Sequence, residues 1–383
     1  MNRVVSIKIL IIILVSATIG GAFSIAKSWQ YANAEMNFLA GEMANSASST
    51  KATSPNQKQK PPKQVAKGVY LTAYSAGSSK KLGQIIDLIN RTELNAVVID
   101  IKDYSGLVLF DTKNELANKL KLKDNRYPNL RETVKRLHEN NIYVIARQTV
   151  FQDPVLAEKR PEWAIKSSGG GLWRDYKGLA WVDPSKKEIW DYNVALAREA
   201  IGYGFDEINF DYIRFPSDGN MKTAVYNSTS TKKYQVMGNF YKYLTRKLEK
   251  EPVWISYDMF GFVMEKKGED DMNIGQRLED ALDNADYICP MMYPSHYPPG
   301  HLGLANPAAH PALVFENGLK MGSPKFTDRK AELRPWIQAF DLGAVYDGAK
   351  IRAQIDEIEK FPNAGWLLWN ASNRYSDAGL KKE

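Results

Sequence analysis

The sequence predicts an α/β protein, a (β/α)8 TIM barrel preceded by an N-terminal signal or anchor segment and a disordered linker. Three observations carry that prediction. From Lys67 onward, short β-rich runs alternate with segments of helical spacing. The long connections fall after strands rather than before them, so they gather at one end of a barrel. In the middle of the chain, FDEINFDYIRFP (Phe205 to Pro216) reads as a strand that ends in a carboxylate, Asp211, at the end where such barrels carry their chemistry.

In residues 1–34, Arg3 and Lys8 precede an apolar run from Ile9 to Ala26. This is the pattern of a signal peptide or membrane anchor. Ala32-Asn33-Ala34 offers a cleavage site, and Trp29 and Tyr31 suit an uncleaved anchor equally well. The basic end stays inside, so the rest of the chain is expected to be extracytoplasmic, either secreted or anchored to the outer face of the cytoplasmic membrane. Residues 35–66, containing SASSTKATSPNQKQKPPK, read as a disordered Ser/Lys/Pro-rich linker, and residues 67–383 as the barrel domain.

Within the domain the expected order begins with a strand at Gly68 to Thr72 and a helix at Ser79 to Arg91, with Leu82, Ile85, Ile86 and Ile89 on one face. A strand at Ala96 to Lys102, a helix at Leu130 to Asn140 and a strand at Ile142 to Arg147 follow. Asp183-Pro184-Ser185 marks the start of a helix running to Tyr203. After the central strand come a helix at Lys232 to Glu249, a strand at Val253 to Asp258, a helix at Ile274 to Asn284 and a strand at Asp286 to Tyr293. Trp336 to Phe340 and Trp366 to Trp369 complete eight strands, with a helix at Ala349 to Lys360 between them. A doubly wound open sheet is the structural alternative. Its nucleotide-binding form lacks the glycine-rich turn expected after Thr72.

The net charge of +7 belongs mostly to the N-terminal segment. Residues 1–66 hold seven basic and two acidic side chains, which leaves the domain at +2 and without the basic footprint of a nucleic-acid binder. One cysteine, Cys289, excludes an internal disulfide and a thiolate zinc cluster. The four histidines show no HExxH spacing, so neither a metal nor a cofactor is expected.

In the central strand, Ile208 and Phe210 alternate with Glu207, Asn209 and Asp211, so the acidic set points into the barrel. The same parity turns Asp258 inward on the fifth strand. Other polar strand ends at this mouth are Asp100 and Lys102, Arg147, Tyr293 and Asn370. Adjacent strands lie about 4.8 Å apart, which brings the two carboxylates close to the roughly 5–5.5 Å of a retaining glycosidase, with the wider inverting spacing also open. The plainer alternative is that Asp211 caps a turn or pairs with Arg214. Loops 148–185, 213–231, 259–273 and 294–307 crowd this end. The first carries Phe151, Trp163, Trp173, Tyr176 and Trp181, and the last carries His296, Tyr297 and His301. Flat rings of this kind stack on sugar faces, although several, Trp163 and Trp190 foremost, are expected to pack loops instead.

KGVYLTAYSAG, NAVVIDIKDYSG, IARQTVFQDP, WVDPSKKEIWDYN, GFDEINFDYIRFPSDG, YDMFGF and ADYICPMMYPSHY occur in that order between Lys67 and Tyr375. Together they resemble the putative glycoside hydrolase domain of exported bacterial proteins, formerly a domain of unknown function. The resemblance implies a TIM barrel whose catalytic carboxylates stand at the ends of the fourth and fifth or later strands. Many relatives carry glutamate on the fifth strand where this chain has Asp258. The expected function is an extracytoplasmic glycoside hydrolase acting on a cell-envelope or extracellular polysaccharide. Asp211 is its nucleophile, or its base if the enzyme inverts, and Asp258 is its acid. Arg147 and Arg214 would hold Asp211 ionised, and Asp100, Lys102, Trp181, Tyr293, His296, Trp369 and Asn370 would bind the sugar. The alternative is a non-catalytic glycan-binding or envelope-scaffolding protein on a degenerate barrel.

Overall fold

The computed structural model describes residues 59–228 and 230–382. The apolar run and most of the expected linker lie outside these residues. Among the described residues no helix is long and apolar enough to cross a membrane.

Eight parallel staves close into a ring: β1 (Ala66–Leu71), β2 (Ala96–Lys102), β3 (Tyr143–Thr149), β4 (Glu207–Asp211), β5 (Trp254–Phe260), β6 (Tyr287–Met291), β7 and β8 (Gly365–Trp369). β7 is in two pieces, Glu332–Leu333 and Trp336–Gln338, because Pro335 has no N–H to give a continuous ladder. Its first piece pairs with β6, while its second pairs with β8 and touches β6 at Met291. The ring is therefore shut, which rules out the open doubly wound sheet. Gly365 opens β8 at φ +98°, and a Cβ there would lie 2.0 Å from the Ala66 carbonyl, so only glycine lets β8 reach β1.

Seven helices pack outside: α1 (Ser79–Ile89), α2 (Leu130–His138), α3 (Lys187–Ile201), α4 (Lys233–Leu248), α5 (Leu278–Ala281), α6 (Pro311–Gly322) and α7 (Gly348–Ile358). Side-chain oxygens of Ser78, Asn129 and Asp347 accept backbone N–H bonds at the starts of α1, α2 and α7. α5 is much shorter than the expected 274–284, since Met272, Asn273 and Gly275 all sit at positive φ and turn the chain before it. α6 has no counterpart among the expected elements. Its Gly318 and Gly322 break the apolar period, and they pack closely on Met292 and Met264. After β8 the tail takes the eighth helix's place. It leaves the mouth, where the Tyr375 hydroxyl donates to the Tyr70 carbonyl (2.8 Å), and ends with Lys381 and Glu93 bonded through both backbone and side chain, just before β2.

Strand parity sorts the core. Ile208 and Phe210 belong to the large outer layer between staves and helices, while Tyr70, Val98, Ile145, Cys289 and Leu367 fill the barrel interior. Each such burial is worth about 1.5–3 kcal/mol for a large aliphatic or aromatic side chain. Near the floor the interior holds an ion pair with neither residue exposed. Arg334 Nη1 lies 2.9 Å from both Glu207 oxygens, and Tyr143 donates to Glu207 Oε2 at 3.0 Å.

The last part of the expected linker is packed against this floor. The Trp254 indole N–H donates to the Pro61 carbonyl (3.0 Å), and the Lys60 ammonium sits 4.6 Å over the Trp254 ring and 3.4 Å from Asp286. Lys63 pairs with Glu332. Ordered packing thus begins upstream of residue 67, because the apolar rim of Trp254 needs a cover.

Candidate active site

The opposite end of the barrel opens into a cavity of about 400 Å³. All four long loops reach it, through Gln152, Asp175 and Lys177, then Arg214, Ser217 and Asp218, then Phe260 to Phe262, and finally His296 and Tyr297. Short pairing of Lys166–Ser167 with Ala224–Val225 ties the first loop to the second. At Gly261 a Cβ would meet the Met291 carbonyl at 2.6 Å and the Tyr297 hydroxyl at 2.8 Å, so glycine lets these loops close up as a wall.

Arg147, projecting from β3, organises the cavity base. Its Nη1 donates to Asp100 Oδ1 (2.6 Å), and its Nη2 and Nε donate to Asp211 Oδ2 (2.5 and 3.1 Å). Nε also lies 3.9 Å from Asp258 Oδ2. The Arg147 guanidinium packs on Trp369 and Tyr70, whose rings stack at 4.0 Å. Burial opposes its charge, but Asp100, Asp211 and Asp258 outweigh that and keep it cationic. The 3.1 and 3.9 Å distances to one nitrogen place Asp211 Oδ2 and Asp258 Oδ2 within about 7 Å of each other, a ceiling that includes the retaining separation of about 5–5.5 Å.

The two carboxylates have different surroundings. Asp258 Oδ1 accepts from the Trp336 indole (2.7 Å) and from Asn209 Nδ2 (2.9 Å). Burial, and then the charge of Asp211, push the Asp258 carboxyl well above the usual carboxylate range, and Arg147 and the two hydrogen bonds offset this only in part. Asp211 has Arg147 on one oxygen and the backbone N–H of Tyr212 on the other, at 2.5 Å. Tyr212 sits at φ +52°, a costly conformation for a bulky residue, which turns the chain sharply at the end of the strand.

Seven of the residues expected at the site line this cavity: Asp211, Asp258, Arg147, Arg214, Tyr293, His296 and Trp369. Four do not. Lys102 is fully buried, donating to the Thr149 carbonyl (2.9 Å) and paired with Asp153 (2.8 Å); the register between β2 and β3 shifts between Asp100 and Lys102, and parity fails across such a bulge. Asp100 is buried behind Arg147 and accepts from the Tyr70 hydroxyl (2.6 Å), while burial pushes its carboxyl up to about 6. Asn370 ties the tail, donating to the Ala339 and Arg374 carbonyls. Trp181 lies buried under Arg214, its indole donating to Asp175 Oδ2 (3.0 Å). Arg214 itself makes no ion pair with Asp211.

The loop aromatics differ from expectation as well. Phe151, Trp173 and Trp181 are buried, Trp163 is half-buried, and only Tyr176 is exposed. The rings that line the cavity are Tyr212, Phe260, Phe262, Tyr293, Tyr297 and Trp369. Asn209 and Trp336 were not singled out in the sequence. Asn209 shares the inward parity of Asp211 and is legible on that ground, whereas Trp336 reaches Asp258 from β7, past the intervening β6. Among the described residues no group of three or more His, Cys, Asp or Glu is placed to hold a metal ion.

A closed (β/α)8 barrel with two carboxylates and an aromatic-walled cavity at the C-terminal mouth defines the class of sugar-cleaving barrels in architecture. The chain belongs to the family described as putative glycosyl hydrolase domain, which matches residues 68–375. Among solved structures, it is similar to a hypothetical protein from Ruminiclostridium thermocellum, with 41% identity over 50% of this chain and 96% of that one and a TM-score of 0.47. The PgaB (BpsB) glycoside hydrolase domain from Bordetella bronchiseptica shares 14% identity over 81% of this chain and 94% of its own, with a TM-score of 0.59. An alpha-galactosidase from Thermus thermophilus shares 12% identity over 82% and 60%, with a TM-score of 0.51. These last two likenesses are likenesses of fold. No curated protein matches the sequence.

Proposed function

We propose that this domain hydrolyses a glycosidic bond of a cell-envelope or extracellular polysaccharide outside the cytoplasm, with Asp258 as acid and Asp211 as nucleophile. One observation carries the reading: two carboxylates of the cavity flank Arg147, Asp211 in a direct ion pair with it and Asp258 at 3.9 Å in a buried setting that drives it toward its protonated form. Two carboxyls in such different settings divide the labour of glycoside cleavage. Asp258 gives its proton to the leaving oxygen. Asp211, ion-paired with Arg147, attacks the anomeric carbon, and water then resolves the glycosyl intermediate with Asp258 acting as base. Location outside the cytoplasm rests on the sequence of the first 34 residues.

A second reading, glycan binding without cleavage, has an observation of its own. Both Asp211 oxygens are already engaged, by Arg147 and by the Tyr212 N–H, as in a structural hub. Release of reducing ends from envelope polysaccharides, compared between wild type and Asp211→Asn, separates the two. The hydrolase reading expects a fall in turnover of at least about a thousandfold with glycan binding retained. Binding without new reducing ends in the wild type supports the other reading.

A further inference from the structure

Four basic side chains are buried in the described domain: Lys102, Arg147, Arg214 and Arg334. Three have a carboxylate within ion-pair distance, namely Asp153 for Lys102, Asp100 and Asp211 for Arg147, and Glu207 for Arg334. Among the described residues Arg214 has none. Its Nη1 is used on the Phe215 carbonyl (3.1 Å) and Ser217 Oγ (3.3 Å), and its Nε and Nη2 have no protein partner. Yet Arg214 is 92% buried, being 8% exposed, and the solvent it does meet is the cavity.

The surroundings hold this group in place rather than neutralise it. Its guanidinium carbon lies 5.0 Å from the Trp181 ring, 5.1 Å from Tyr212 and 4.7 Å from Phe260. Such rings orient a cation and leave its N–H edge free for an in-plane partner. Two of the three neighbouring acids are committed elsewhere, and the third, Asp218, forms no ion pair with Arg214. Asp175 accepts from the Trp181 indole and from the backbone of Lys177 and Leu179, and Asp211 is engaged by Arg147. Burial pulls the guanidinium's pKa down, against Tyr212, Asp211, Asp218 and Asp175. A desolvated cation without a counter-charge costs several kcal/mol unless something supplies one.

We propose that Arg214 is the specificity residue for an anionic sugar: the glycan held in this cavity carries an oxyanion, a carboxylate or an ester sulfate or phosphate, that the free edge of Arg214 accepts. The proposal rests on the hydrolase reading only in sharing its cavity. Lys177, on the rim, adds a second positive charge. The walls hold Arg147, Lys177 and Arg214 against Asp175, Asp211, Asp218 and Asp258, and the upward push on the Asp258 carboxyl weakens the one surplus negative charge facing a bound anion. Planar guanidinium recognition of an oxyanion is bidentate and strong, whereas a neutral hydroxyl would leave the charge unmatched.

The test uses Asp211→Asn protein on a glycan array of neutral, uronate-bearing, sulfated and phosphorylated oligosaccharides. Acidic glycans should bind at least tenfold more tightly than neutral ones of the same backbone. The acidic class retained identifies the oxyanion, and methyl esterification of a bound uronate, or removal of a bound sulfate or phosphate, should erase the gain. Adding Arg214→Gln should remove the preference, and Arg214→Lys should restore part of it. The proposal is overturned if neutral glycans bind as well as acidic ones, if no acidic glycan binds, or if folded Arg214→Gln protein keeps the preference. Should Arg214→Gln fail to fold, the esterified or desubstituted glycan decides alone. Wild-type protein is run on the same glycans with reducing-end detection. Acidic binding without cleavage retires the hydrolase reading and leaves the anion site; cleavage confined to neutral glycans does the reverse.

Discussion

Replacing Trp336 with Phe tests what sets the proton affinity of Asp258. The indole N–H donates to Asp258 Oδ1 at 2.7 Å in a fully buried setting, and Asn209 supplies the companion bond. A hydrogen bond to a carboxylate is worth about 1.5–3 kcal/mol and one to the neutral acid about 0.5–1.5 kcal/mol, so losing it penalises the anion by roughly 1–1.5 kcal/mol more. Since 1.36 kcal/mol is one pKa unit, the Asp258 carboxyl should rise by about one further unit. The sign follows from the acid role. Asp258 works when protonated, so the alkaline limb of kcat/KM moves to higher pH by about one unit, while the smaller ring costs about 1–3 kcal/mol of stability. Difference infrared spectroscopy of the protonated carboxyl band needs no substrate and can be referenced to Asp258→Asn. A band that titrates at the same or lower pH in Trp336→Phe would refute the reasoning, since the indole would then not favour the anion.

Two predictions concern the floor. Arg334→Met leaves the Glu207 carboxylate buried beside Tyr143 with no cation, and denaturant unfolding should show a loss of about 3–5 kcal/mol; Glu207→Leu in the same chain should recover much of it, because the uncompensated charge is the source. A chain beginning at Ala66 uncovers Trp254, so its tryptophan emission should shift to the red and its stability fall by about 1–3 kcal/mol. Glycan binding at the opposite pole should be unchanged in that shortened chain.

Alternation and parity made most of the barrel legible, because both depend on near neighbours in sequence. Ala96–Lys102 matches its expected bounds, and the inward set of Glu207, Asn209 and Asp211 follows from a period of two. Parity cannot see a bulge, which is why Lys102 was expected at the mouth and faces Asp153 instead. Nor does it see three-dimensional partners: the Trp336 bond to Asp258 joins residues on staves that are not sequence neighbours. Pro335 and Gly318 hid the first piece of β7 and helix α6, since each removes the feature that periodicity reads. Among the aromatics, sequence gave the residue types but not which would be covered. Trp181 was expected to stack on sugar and serves instead as a platform beneath Arg214.

The tail that stands in for an eighth helix has a practical consequence for joining this domain to anything else. It runs from Tyr375 at the mouth to Lys381 beside Glu93, and the upstream chain lies on Trp254 at the same pole. Both described chain ends therefore leave from the floor, about one strand length, roughly 20 Å, from the cavity. A fusion partner or affinity handle joined directly at either described end would start from the pole opposite the opening. A circularly permuted chain could be rejoined across the floor and reopened in an outer helical turn, without any of the four mouth loops being cut.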